Sequence, residues 1–168
     1  MPMNRVFALW MVFWIGGCAP IKPAPSPESA PMSEIIARES SDPRRAASLR
    51  MVDAARTDLE AGRLERAAEK LARGLEVDPG NPYAYFYLGV VRFRANRLEE
   101  AAELFIRSAG LFADAADWRA EALAYRGESF ERSGKIPEAR GAFEEALKAD
   151  SVNQRAREGA SRLAGKMW

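Results

Sequence analysis

The side chains that most readily perform covalent or acid–base chemistry are sparse in this sequence. Cys18 is the only cysteine, and histidine is absent. Without histidine the chain lacks the commonest general base, the usual pH switch and the commonest metal ligand. A single thiol can close neither an internal disulfide nor a cysteine-rich zinc site. Carboxylates do occur in pairs, Glu99-Glu100 and Glu144-Glu145. Both pairs sit in helix-forming sequence, where a solvated helix face explains them better than acid–base catalysis. No phosphate-binding loop, G-x-G-x-x-G run or metal-spaced carboxylate set is present. The 25 basic and 24 acidic residues nearly balance, unlike the strongly basic footprint of a nucleic-acid binder. The residues point away from an enzyme. No cofactor, metal, nucleic acid or small-molecule substrate is expected.

The surroundings of Cys18 offer it a different role. Arg5 is followed by an uncharged run from Val6 to Gly17. That run is too short for a bilayer span, which needs about 20 apolar residues, but it suits the apolar region of a secretory signal. Ile15-Gly16-Gly17-Cys18 resembles the lipobox of bacterial lipoproteins: an aliphatic residue, two small residues and a cysteine. The resemblance implies that residues 1–17 are a signal peptide cut before Cys18. It also implies that the Cys18 thiol carries diacylglycerol and that its new amino group is acylated. Each buried methylene would add about 0.8 kcal/mol of membrane affinity, so several chains make a stable anchor. Ala19 follows the cysteine in place of an aspartate, which by the same resemblance implies the outer membrane, facing the periplasm. The residues alone leave one alternative, a free cysteine that is buried or membrane-embedded.

Residues 18–43 read as a tether. APIKPAPSPESAP, residues 19–31, contains five prolines, which fix φ, remove amide donors and favour extended polyproline II over helix or strand. At about 3.1 Å per residue such a spacer reaches a few nanometres. MSEIIARES, from Met32, is a short helical candidate before Asp42-Pro43.

From residue 44 to 168 the sequence reads as helix throughout, rich in alanine, leucine, glutamate and arginine. No stretch keeps the two-residue alternation of a strand. Three segments align: GRLERAAEKLARGL from Gly62, NRLEEAAELFIRSA from Asn96 and GKIPEARGAFEEAL from Gly134. Their starts lie 34 and 38 residues apart, and a period near 34 marks the tetratricopeptide repeat. The residues resemble that family as well. Tyr85, Leu88-Gly89, Ala101 and Phe105 fit its pattern in the second unit. Gly62, Ala67, Leu71, Gly74 and Asp78-Pro79 fit in the first, and Gly127, Phe130, Gly134, Ala139, Phe143 and Ala146 in the third. Ala54-Ala55, Asp58 and Arg126 depart from it. The resemblance implies an all-α, right-handed superhelix of about three helix hairpins (about 48–81, 82–115 and 120–153) with a capping helix at 154–168. Each hairpin cannot bury its apolar face alone, so stacking must supply the core. Gly62, Asn96 and Gly134 fall at the tight turns, where glycine or asparagine best accepts a left-handed backbone. Pro137 falls in a first helical turn, which tolerates it. Asp117 is expected to cap a lengthened third-unit helix.

In that family the first helix of each hairpin lines a concave surface. Projected onto it are Leu49, Val52, Arg56 and Leu59, then Tyr83, Phe86, Val90, Phe93 and Arg94, then Glu121, Ala124, Glu128, Glu131 and Arg132. The candidate protein-binding groove is Leu49, Val52, Arg56, Tyr83, Phe86, Val90, Phe93, Arg94, Glu128 and Arg132; the competing reading is that the aromatics only pack between hairpins. Tyrosine and arginine are frequent interface anchors. The chaperone-binding subclass clamps a peptide carboxylate with lysines and asparagines; the corresponding places here hold Val52, Arg56, Tyr87, Glu121 and Tyr125, so no such clamp is expected. The resemblances together imply a noncatalytic, lipid-anchored adaptor or assembly factor of the bacterial envelope, for pilus, secretin or outer-membrane complexes. Its partners would be peptide segments or envelope-complex subunits. A carboxylate-dependent envelope hydrolase and a permanently docked structural subunit remain as alternatives.

Overall fold

Three residues with left-handed backbone divide the chain: Gly62 at φ 72°, Asn96 at 59° and Gly134 at 78°. They are the residues expected at the turns, and each closes a helix in the same way. The amides of Gly62, Asn96 and Gly134 donate to the carbonyls of Leu59, Phe93 and Glu131, and the next amides, of Arg63, Arg97 and Lys135, reach Asp58, Arg92 and Phe130. This paired pattern satisfies carbonyls that a helix end otherwise leaves open.

The computed structural model describes residues 26–39 and 41–165. The expected signal segment 1–17, Cys18, the start of the proline-rich stretch and the last three residues of the expected capping helix, 166–168, lie outside the described residues. Among the described residues the fold is all-α: α1 (Met32–Arg38), α2 (Pro43–Glu60), α3 (Leu64–Val77), α4 (Pro82–Arg94), α5 (Leu98–Leu111), α6 (Ala116–Arg132), α7 (Ile136–Ala149) and α8 (Gln154–Ala164). Helices α2–α3, α4–α5 and α6–α7 form three hairpins, and α8 packs on α6 and α7. Asp42, Asn81 and Asn153 start α2, α4 and α8 by accepting amide hydrogen bonds in the first turn, as N-caps do. Pro43, Pro82 and Pro137 lie in first turns, where the missing amide costs nothing. Asp117 is no cap: it lies inside the first turn of α6, whose capping position is Ala115 without a side-chain bond.

The hairpins close around glycine. A Cβ on Gly89 would lie 2.7 Å from the Phe105 ring, and one on Gly127 would lie 2.6 Å from the Phe143 ring. Phe105 and Phe143 are fully buried, and the Cδ1–Cε1–Cζ edge of each ring presses against the helix backbone at the glycine. In the first hairpin Ala55 and Leu71, both fully buried, stand at the same sixteen-residue spacing in the sequence.

Two expectations about the first described residues need correcting. Within the proline-rich stretch Pro27–Ser29 form a 3-10 turn rather than uninterrupted polyproline II. Ser26, Ala30 and Pro31 keep polyproline-like angles around it, near φ −75°, ψ 145°. Nor does the stretch behave as a free spacer: Met32 and Ile35 of α1 are buried in the same core as Leu49 and Val52.

Gly127→Ala should lower the unfolding free energy by about 1–3 kcal/mol by overpacking against Phe143. Gly141→Ala, with no atom within 4 Å of its added Cβ, should raise it by about 0.5–1 kcal/mol through helix propensity. Urea titration of both variants checks the opposite signs.

Candidate functional site

The first helices α2, α4 and α6, with α8 at one end, present an inner face that carries every expected groove residue. The structure divides those residues into two sets. Leu49, Val52, Tyr83, Phe86 and Val90 are buried, as are Glu121 and Ala124. With residues 26–39 in place Leu49, Val52 and Phe86 offer no open surface, which corrects the expectation that they line the groove, while Tyr83 and Val90 reach only the edges of two cavities. Phe86 shows why. Its ring meets Phe105, Trp118 and Tyr125 edge-on at 5.7, 5.3 and 5.5 Å, so it fills the space between hairpins.

The second set remains partly or fully accessible. Phe93 is half-buried, edge-on to Tyr125 at 5.7 Å. The Arg132 guanidinium lies 4.4 Å from the Phe93 ring centre and donates to Asn96 Oδ1 at 2.8 Å. Arg94 is exposed and donates to the Leu59 carbonyl at 2.9 Å. Glu128 is half-buried and accepts from Arg155 at 2.9 Å. Arg56 lies 5.5 Å from the Tyr87 ring centre.

Arg56 is already bound to peptide. Its Nη2 donates to the Glu28 carbonyl at 2.9 Å and its Nη1 to the Ala30 carbonyl at 3.3 Å. Residues 26–39 thus run as a strap across the inner face. At one end Tyr83 Oη, deeply placed, accepts from Arg38 at 3.1 Å and donates to Glu39 at 3.3 Å. Burial and the Glu39 charge push the Tyr83 hydroxyl up to about 12. At the other end Glu28 faces Arg155, with Nη2 and Oε1 3.8 Å apart. Burial pushes the Glu28 carboxyl up despite the nearby Arg155 and Arg94 charges. Tyr125 and Tyr87 are likewise pushed up by burial. A small cavity of ≈ 110 Å³ remains between Glu28, Arg56, Tyr87, Val90 and Arg94.

Arg155 of α8 is the electrostatic centre. It donates to Glu121 at 2.7 Å and Glu128 at 2.9 Å, and its guanidinium lies 3.8 Å from the Tyr125 ring centre. Burial alone would discourage its charge, but Tyr125, Glu121 and Glu128 together hold it firmly ionised. Sequence reasoning missed Arg155, Glu28, Met32 and Ile35. The three-residue spacing of Met32 and Ile35 was the available signal, because it gives the short helix one apolar edge.

Among the described residues of this face the charged groups hold one another in place, and no nucleophile stands beside a base. Arg155→Ala should cost about 3 kcal/mol of stability by leaving Glu121 buried with Asn153 as its remaining hydrogen-bond donor. Glu121→Gln on that background should restore part of the loss, as measured by urea unfolding in a double-mutant cycle.

Comparison with known proteins agrees with this architecture. The family model described as Tetratricopeptide repeat matches residues 52–116 and 125–164, well over half of the chain. The gap between the two matches falls at the start of α6, where the connection is lengthened. No curated protein matches in sequence. Among solved structures, the N-terminal domain of stress-induced protein-1 (STI-1) from C. elegans superposes with a TM-score of 0.66 at 16% identity, covering 73% of this chain and 98% of that one. The Arabidopsis OM64 TPR domain gives 0.66 at 17% identity, covering 74% and 99%. The second TPR domain of the human RPAP3 protein, solved in complex with the HSP70 peptide SGPTIEEVD, gives 0.62 at 24% identity, covering 72% and 95%. These identities carry the fold alone. Three stacked hairpins with left-handed turns, matched by the family over most of their length, show that this chain belongs to the tetratricopeptide repeat family.

Proposed function

We propose that this chain is a noncatalytic adaptor whose inner face holds extended segments of partner proteins, and that lipid on Cys18 anchors it in the bacterial envelope. The outer membrane, facing the periplasm, is the site we favour, with assembly of pilus, secretin or outer-membrane complexes as the setting. Repeats of this family typically act as interaction modules without catalysis. The carrying observation is that the inner face already receives a polypeptide segment through its backbone carbonyls, by way of Arg56. Backbone recognition of this kind suits a peptide receptor. A solved structure of the same fold, the second TPR domain of human RPAP3, holds an HSP70 peptide, which supports the peptide-receptor reading. A hydrolase reading finds little support on this face, because Glu121 and Glu128 are both engaged by Arg155.

The anchor and the groove are tested separately. Cys18→Ser should move the protein from the membrane to the soluble fraction, or leave it as uncleaved precursor; unchanged fractionation defeats the anchor. Arg94→Ala combined with Arg132→Ala should cut recovery of crosslinked partners about tenfold, the effect of losing about 1.4 kcal/mol. Undiminished recovery with an intact melting curve would place the partner surface elsewhere.

A further inference from the structure

We propose that residues 26–39 are an internal ligand of the inner face, displaced by a partner segment of the same chemistry. That partner is a stretch with a 3-10 turn between two prolines, running into a helical turn with two apolar side chains three residues apart. The inference deepens the peptide-groove reading and rests on it.

The strap shows what the face selects. Pro27 and Pro31 flank the two carbonyls that Arg56 reads, Pro27 opening the 3-10 turn, and prolines fix φ so that less entropy is lost on docking. Met32 and Ile35 then enter the core, 2% and 4% exposed. Any segment that offers two carbonyls, a proline on each side and two such anchors could make these contacts.

The strap is also built to leave. Removing Glu28 leaves Arg155 paired with Glu121 and Glu128, so no cation is orphaned. Removing Glu39 leaves Arg45 with Asp78 and the Gly80 carbonyl. Glu28 itself is poorly served. Its Oε1 is buried without a hydrogen bond, and burial, reinforced by the Glu121 charge, outweighs the charges of Arg155 and Arg94 and the hydroxyl of Tyr125. A cavity of ≈ 760 Å³ lies beside the strap, walled by Ile35, Arg38, Tyr83 and Trp118. Helix α1 has seven residues, too few to persist once undocked. What detaches is thus a flexible chain, which clears the face for a competitor.

The test compares the full wild-type chain with full-length Met32→Asp/Ile35→Asp, whose anchors cannot be buried. The probe is a labelled synthetic peptide of residues 26–39, followed by fluorescence anisotropy, with the same double substitution in a control peptide. A tethered competitor acts at about millimolar effective concentration, so the variant chain should bind the peptide at least tenfold more tightly than the wild type. The control peptide should bind neither. Equal affinity for the two chains overturns the proposal, as does absence of binding to a variant that retains cooperative helical melting. Should the aspartates unfold the chain, Met32→Ala/Ile35→Ala gives the same comparison with a milder loss. The Arg94 and Arg132 variants keep the two readings apart. If partner recovery depends on them while the strap peptide fails to compete, only the internal ligand falls. If the peptide competes while they capture normally, only the wider groove falls.

Discussion

The contact on which the rest depends is the one between a glycine backbone and an aromatic ring. Helices approach to a distance set by the side chains between them. With no Cβ on Gly89 or Gly127, the rings of Phe105 and Phe143 lie directly on the opposing backbone. Phe143 is met from a second side by Gly159 of α8, whose Cβ would fall 2.3 Å from the ring. One aromatic therefore fixes both the closure of its own hairpin and the seating of the next helix. Because this contact lies on the side of each first helix that faces its partner, the opposite side is left to form the inner face.

Neighbouring units are registered by polar groups in the interior. Asn81 caps α4 and also donates to Ser48 Oγ at 2.8 Å, while Ser48 donates to the Gly74 carbonyl at 2.7 Å. Asn153 does the same two repeats on, capping α8 and donating to Glu121 at 2.8 Å. A buried amide is satisfied in one geometry only, so each cap sets the angle at which the next helix enters. Asp58 plays the related part at the first turn. It is 1% exposed and paired with Lys70 and Arg63, whose hydrogen bonds lower its carboxyl to about 2.

These roles explain which parts of the molecule were legible in the sequence. The turns were, because a positive φ leaves so few choices that Gly62, Asn96 and Gly134 stand out by type alone. The all-α class and the repeat period followed from composition and spacing. The inner face was legible only as a list of positions. Whether Phe86 or Phe93 meets solvent depends on Trp118 and Tyr125, which come from another hairpin at a distance no local pattern encodes. The lengthened connection hid a further cluster: Phe112 stacks on Trp118 at 5.6 Å, and Tyr83 meets both edge-on at 5.0 and 5.1 Å. The strap was hidden for the opposite reason. Its prolines speak for an extended chain, and an extended chain can be bound as readily as free; only the partners Arg56 and Arg155, distant in sequence, decide between the two.

The place where the strap begins has a consequence for reach. Eight positions of sequence separate Cys18 from Ser26, at most about 30 Å of chain, which bounds the reach of a body anchored by lipid on Cys18 as proposed. Release of residues 26–41 would add up to roughly 55 Å more at the same extension per residue. A single docking event on the inner face would then also govern how far from its membrane the body can search.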